Sequence, residues 1–287
     1  MKTTKTIALA VLAGATLASG AAQAATWSDS FLGYRYGTGF REPSNTKEVR
    51  KHVLQFGHAS GYAYGQNFLN LDLLQSDKND PSSGADTGAT EFYLTYRHQL
   101  HLGKLLDKDL SFGPVKEVAL TAGFDLNTKN TAFAPRKRLV VAGPTLKFNL
   151  PAGFLDLSLL AGKEWNHCGL AFCTDHEHGF DAQWILSAAW GVPFQAGPVP
   201  LKFQGFINYN SEKGKDYSGV KTEAETLMRT SLMVDVGQMA AGRKNTLLMG
   251  VGYELWLNKF GNHATAAGVT KPGINTYAPT LQMEWHF

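Results

Sequence analysis

The chain has 287 residues, with 27 Lys and Arg against 24 Asp and Glu, 30 Gly, 11% aromatic residues and a mean hydropathy of −0.19. No uncharged stretch reaches the ~20 apolar residues that a membrane-spanning helix needs, which excludes a bundle of such helices. The small positive balance rests largely on Lys2 and Lys5 at the very start, so it makes no case for nucleic acid, and nothing in the composition calls for a cofactor.

Residues 1–24 read as a signal peptide. Lys2 and Lys5 form a basic start, Ile7 to Ala18 an apolar run, and Ala22-Gln23-Ala24 a small-x-small cleavage site. The mature chain then begins at Ala25 and is bound for an oxidising compartment, where Cys168 and Cys173 can pair.

From there the chain alternates. Twelve candidate strands lie near 27–40, 49–60, 62–75, 90–101, 115–127, 137–149, 153–166, 178–191, 199–211, 225–237, 246–258 and 277–287. In the fourth, Phe92, Leu94, Tyr96 and Leu100 oppose Glu91, Tyr93, Thr95, Arg97 and Gln99. In the fifth, Val118, Leu120, Ala122, Phe124 and Leu126 oppose Glu117, Thr121 and Asp125. The ninth sets Leu201, Phe203, Ile207 and Tyr209 against Lys202, Gln204 and Asn208, and the eleventh sets Leu247, Met249, Val251, Tyr253 and Leu255 against Glu254 and two glycines. Period-2 alternation puts each set on its own face of a strand. The apolar faces carry almost no charge away from their ends. Lipid imposes that, because a Lys or Arg facing it at mid-membrane costs about 2–4 kcal/mol. The opposite faces mix both signs of charge, which a soluble sandwich core could not hold unpaired.

The last strand is the plainest. Tyr277, Leu281, Met283, Trp285 and Phe287 alternate with Thr280, Gln282, Glu284 and His286, and the chain stops on the aromatic. Those five apolar residues read as the lipid-facing side of a closing strand that also serves barrel assembly. The expected fold is therefore all-β: a twelve-stranded antiparallel transmembrane barrel of outer-membrane type, spanning 25–287 as one domain. Short or Gly/Pro-marked links are expected at His58–Gly61, Asn149–Gly153, Gly191–Pro200 and Gly237–Asn245. Longer polar ones are expected at Gln75–Thr90, Ser211–Ala224 and Lys259–Asn275. His101 to Pro114 is long for a turn on the short side, and Leu105-Leu106 within it suggests a small helical or packed lip. Pro144 and Pro279 fall inside strands, where a missing N–H loses a ladder bond; a bulge beside Gly143 would accommodate the first.

The stretches Gly33-Tyr34-Arg35-Tyr36-Gly37-Thr38, Asp109-Leu110-Ser111-Phe112-Gly113-Pro114-Val115-Lys116-Glu117, and Ala122-Gly123-Phe124-Asp125 leading to Asn127-Thr128-Lys129-Asn130 carry a family resemblance. Lys213-Gly214-Lys215-Asp216 and Glu284-Trp285-His286-Phe287 add to it. The chain resembles the nucleoside-specific channel-forming outer-membrane proteins, the Tsx-like family, and a broad branch of that family more than the nucleoside channel itself. The resemblance implies a monomeric twelve-stranded barrel with a narrow lumen that passes nucleosides.

Several constellations bear on chemistry. Between His167 and His178, two cysteines and three histidines offer either a zinc site or a disulfide-closed loop. An oxidising site favours the disulfide between Cys168 and Cys173, with no metal. The inward charges are expected to be Glu91, Arg97, Glu117, Asp125, Lys147, Asp156, Asp181, Lys202, Arg229, Asp235, Glu254 and Glu284, an acidic excess that favours cations. Tyr93, Phe206 and Trp256 share that parity and could stack on a flat ring; alternatively the aromatics fill space and the charges pair off across the barrel. Inward Met233 and Leu248 could seal it. No Ser-His-acid set shares a face, although His98 and His286 lie near strand ends, so an outer-membrane hydrolase is the weaker alternative and a plugged structural or adhesive barrel the stronger one. The expected partners are membrane lipid, the outer-membrane assembly machinery through the last strand, and small polar solutes, with nucleosides leading.

Overall fold

The computed structural model describes residues 25–173, 175–266 and 269–287; the expected signal peptide lies outside them. The strands are β1 (Trp27–Phe40), β2 (Val49–Tyr62), β3 (Gly65–Ser76), β4 (Thr90–His101), β5 (Val115–Lys129), β6 (Arg138–Phe148), β7 (Phe154–His167) and a short β8 (Glu177–Gly179). They continue with β9 (Gln183–Ala196), β10 (Val199–Asn210), β11 (Glu225–Asp235), β12 (Leu247–Leu257), a two-residue pair β13 (Thr265–Ala266) and β14 (Val269–Thr270), and β15 (Thr276–His286). Two short helices, α1 (Leu102–Leu106) and α2 (Val236–Ala241), follow β4 and β11. Each long strand pairs antiparallel with its neighbours in sequence order. The β6–β7 and β1–β15 ladders close the sheet into a twelve-stranded barrel, with Phe31 opposite His286 and Gly37 opposite Thr280.

Closure settles which face is which. On β15, Leu281 and Trp285 are 61% and 54% exposed, while Thr280 and Glu284 are 5% and 6% exposed. The same inversion runs round the barrel, with Leu54, Leu120, Val140, Leu159, Leu186, Leu232 and Val251 all exposed. An apolar exterior over a polar interior is the arrangement that lipid, not water, selects. No helix among the described residues is long and apolar enough to cross a membrane. The interior is not wholly polar. Leu139, Val141, Leu160 and Ile185 form a buried apolar patch on β6, β7 and β9.

Several links differ from the sequence expectation. The turn after β2 falls at Ala63–Tyr64 rather than at His58–Gly61, because Gly57 and Gly61 stay in the strand as sockets for aromatic rings of β1. A Cβ on Gly57 would overlap the Phe31 ring, and one on Gly61 the Trp27 indole. Likewise β9 runs through Gly191 and Pro193 to Ala196, leaving a turn at Gly197–Pro198. Its ladder to β7 starts only at Phe154–Gly191, so the missing N–H of Pro193 costs no bond there. The start of β9 at Gln183 leaves Asp181 in the preceding loop, exposed rather than on the lumen wall.

No bulge accommodates Pro144. The β6–β7 ladder skips from Ala142–Ala161 to Thr145–Ser158 and resumes in the same register. Pro279 sits just past the last β1–β15 pair, Gly37–Thr280, beside the register shift between Gly37 and Phe40. Its lost donor therefore falls where the ladder has already ended. The expected lip after His101 is α1, and its Leu105 and Leu106 are exposed.

The sockets give a direct test. Gly57→Val should lower unfolding free energy in lipid by about 1–3 kcal/mol through overpacking, and Phe31→Ala in the same chain should recover part of that loss. Equal losses in the single and double variants would count against the socket.

Candidate functional site

Alternation brings charged side chains from opposite walls to the middle of the lumen. Asp72 on β3 is 2% exposed and accepts from Arg35 Nη2 on β1 at 3.2 Å and from Arg229 Nη1 on β11 at 3.3 Å. Its other oxygen accepts from Gln55 Nε2 at 3.1 Å and Asn70 Nδ2 at 2.8 Å. Arg229 also donates through Nε to Glu254 on β12 at 2.6 Å. In the closed strand order β3 and β11 lie nearly opposite each other, so the Asp72–Arg229 contact crosses the lumen. Tyr93 is the cross-strand neighbour of Asp72, and Phe206 that of Arg229, which places both rings beside this bridge. Next to them Arg97 Nη1 pairs with Asp125 at 2.7 Å, and Tyr93 donates to the same carboxylate at 3.2 Å.

Further ion pairs line the lumen on either side. Toward the longer loops, Glu164 on β7 pairs with Lys213 at 2.8 Å and Lys137 at 3.7 Å, and Lys213 lies over the Phe180 ring at 4.3 Å. Glu42, in the loop after β1, faces three ammonium groups: Lys51 at 2.6 Å, Lys259 at 3.2 Å and Lys129 at 3.4 Å. Burial alone would raise its pKa, but Lys259, Lys51 and Lys129 outweigh that and hold the carboxyl well below the usual range. Toward the chain termini, Lys147 pairs with Asp156 at 2.6 Å, bridged by Gln99. There Gln204 on β10 donates to Glu284 on β15 at 2.7 Å, and His286 lies between Glu284 and Asp29.

Of the residues singled out from sequence, Tyr93, Arg97, Asp125, Phe206, Arg229 and Glu254 gather around the central bridge. Trp256 stands two residues further along β12, where its Nε1 donates to Glu225 at 2.6 Å and Lys259 lies over its ring at 4.6 Å. Three others do different work. Glu117 accepts from the N–H groups of Gly103 and Val118 and so fastens α1. Asp235 caps α2 by accepting from Gln238 N at 2.9 Å, and its second oxygen accepts from Asn245 N at 2.7 Å. Lys202 lines a cavity near the termini. Sequence reading missed Arg35 and Asp72, which anchor the bridge. The parity signal was present: Arg35 shares a face with Gly33 and Gly37, and Asp72 breaks the leucine alternation of Leu69, Leu71 and Leu73.

Cys168 and Cys173 are bonded, with Cα atoms 6.3 Å apart. The neighbouring histidines spend ring nitrogens on backbone carbonyls: His167 on Ala134 at 2.8 Å, His176 on Cys168 at 2.6 Å and His178 on Lys215 at 2.7 Å. His178, Phe180, Phe133 and Tyr217 pack ring against ring above the Glu164 pair, which ties three loops together.

The Glu42 cluster yields a pH prediction. A carboxyl with a depressed folded pKa stabilises above its unfolded value of about 4.3 and loses that contribution as pH falls through the folded value. The loop at 41–48 should therefore resist trypsin at neutral pH and stay ordered down to mild acid. Glu42→Gln leaves buried Lys51 and Lys259 without their carboxylate, while Lys129 keeps Asp80 at 2.8 Å. The change is worth about 3–5 kcal/mol and should expose Arg41 and Lys47 to trypsin at pH 7. Unchanged nicking in that variant would contradict the assignment.

No family model matches the chain, and no curated protein matches it. Among solved structures, the translocator domain of the autotransporter NalP from Neisseria meningitidis is 13% identical, covering 99% of this chain and 98% of that one at a TM-score of 0.47. An outer membrane channel from Pseudomonas putida F1 is 11% identical over 91% of this chain and 95% of its own, at a TM-score of 0.48. The NanC porin is 9% identical over 88% of this chain and 98% of its own, at a TM-score of 0.45. The chain is similar to these proteins along most of its length, and the barrel itself is given by the strand pairing described above.

Proposed function

We propose that the protein is an outer-membrane channel for passive passage of small polar solutes, narrowed at mid-height by the Asp72–Arg229 bridge. The observation that carries this reading is the inverted barrel: apolar side chains outward, and inward a wall of both charge signs with aromatic rings beside the bridge that crosses it. In this reading residues 1–24 direct export and are removed, and the strand ending at Phe287 is presented to the outer-membrane assembly machinery. An even strand count puts both termini on the periplasmic side and the disulfide loop outside the cell. Nucleosides are the leading solutes, on the resemblance to the Tsx-like family. A nucleoside joins a flat uncharged base to a hydroxyl-rich sugar. Tyr93 and Phe206 offer it ring faces, and Glu254 and Arg97 offer its hydroxyls partners. Weak binding suits release, so no deep pocket is needed.

A specific observation favours a second reading, a plugged structural barrel. The bridge crosses the lumen, and Met233 and Leu248 near the periplasmic end are 0% exposed. One experiment separates the two: conductance of the reconstituted protein in a planar bilayer, with nucleosides, sugars and amino acids added in turn. The channel reading expects ionic current that nucleosides block and sugars do not. Current indifferent to nucleosides would remove the nucleoside assignment and leave a general pore, and absence of current would favour the plugged barrel.

A further inference from the structure

At the terminal end of the barrel a cavity of about 320 Å³ opens between the ends of β9 to β12 and α2. Its floor is apolar: Leu248, fully buried, with Pro193, Pro200 and Ala152 around it. Two cationic side chains reach it from different elements, Lys202 from β10 and Lys244 from the turn after α2. The acid that also lines it is already engaged, since Asp235 accepts from the N–H of Gln238 with one oxygen and from that of Asn245 with the other. The lining therefore keeps one net positive charge above an apolar floor. Neither the central bridge nor the ion pairs around it draw on these two lysines.

We infer that this cavity binds a small carboxylate with an apolar body, an aromatic or branched aliphatic acid entering from the terminal side of the barrel. The size suits such a molecule, because cavities that take small ligands begin at about 300 Å³ and are mostly apolar with a few placed polar groups. The floor takes the hydrocarbon by removing it from water. Lys202 and Lys244 take the carboxylate through charge-assisted hydrogen bonds, which are stronger than neutral ones. An uncharged molecule of the same shape keeps the first term and loses the second. The site does not depend on the lumen conducting, so it stands or falls separately from the channel reading.

The test is titration calorimetry of the folded full-length barrel in detergent, with benzoate as probe and benzyl alcohol as its uncharged counterpart. Benzoate should bind saturably and benzyl alcohol at least about tenfold more weakly, as expected when a hydrogen bond to a charged group is lost. Lys244→Gln, on an exposed turn where folding is not at risk, should weaken benzoate several-fold, and adding Lys202→Gln should abolish saturable binding while heat-modifiable gel mobility stays unchanged. Equal binding of the two probes, benzoate affinity untouched by Lys244→Gln, or no saturable benzoate binding to the unaltered protein would each overturn the assignment.

Discussion

A charge removed from water must be paired, and in this barrel lipid leaves charges no place but the lumen. Asp72 is where that constraint is tightest. Its carboxylate takes two guanidinium groups and two amide donors, from Arg35, Arg229, Gln55 and Asn70, which fills the four or so acceptor positions it has. Three of the donors come from its own side of the barrel and Arg229 from the far wall, so this one carboxylate links walls that share no backbone hydrogen bond. The pairing ties registers together, because a one-residue slip of β3 would turn Asp72 out to lipid and leave two arginines buried without it.

The rest of the interior obeys the same rule. Glu42 answers three lysines, Glu164 two, and Asp125 an arginine and a tyrosine. Aromatic rings at the start of β1 meet a packing demand instead, Phe31 on the face it shares with Arg35 and against His286. Trp27 and Phe31 fill the space that Gly61 and Gly57 leave empty, so two glycines that look like turn signals hold strand β2 together.

How much of this the sequence showed follows from the range of the physics involved. Alternation is local, so the strands, their greasy faces and the closing strand at Tyr277–Phe287 could be read from neighbouring residues. Turn placement was less legible. Gly57 and Gly61 serve a partner strand about thirty residues earlier, and Pro193 is tolerated because β7 ends below it, facts that no window around either residue contains. A strand read from 178 puts Asp181 on the wall, whereas β9 begins at Gln183, and that one boundary moves a charge from lumen to loop. The inward face was legible as a set, which is why Tyr93, Arg97, Asp125, Arg229 and Glu254 were found. Which of them meet was not, since Asp72 and Arg229 stand 157 residues apart and touch only once the barrel has closed. Glu117 and Asp235 have the right parity, but each lies next to a short helix whose free N–H groups claim its oxygens.

A channel of this build requires the cross-lumen bridge to be its constriction. Single-channel recording of Asp72→Ala beside the unaltered protein tests that most directly, with folding checked by gel mobility. Removing the shared acceptor frees Arg229 from the far wall, so a larger conductance and longer open periods are expected. A folded variant whose conductance and gating match those of the unaltered protein would contradict it.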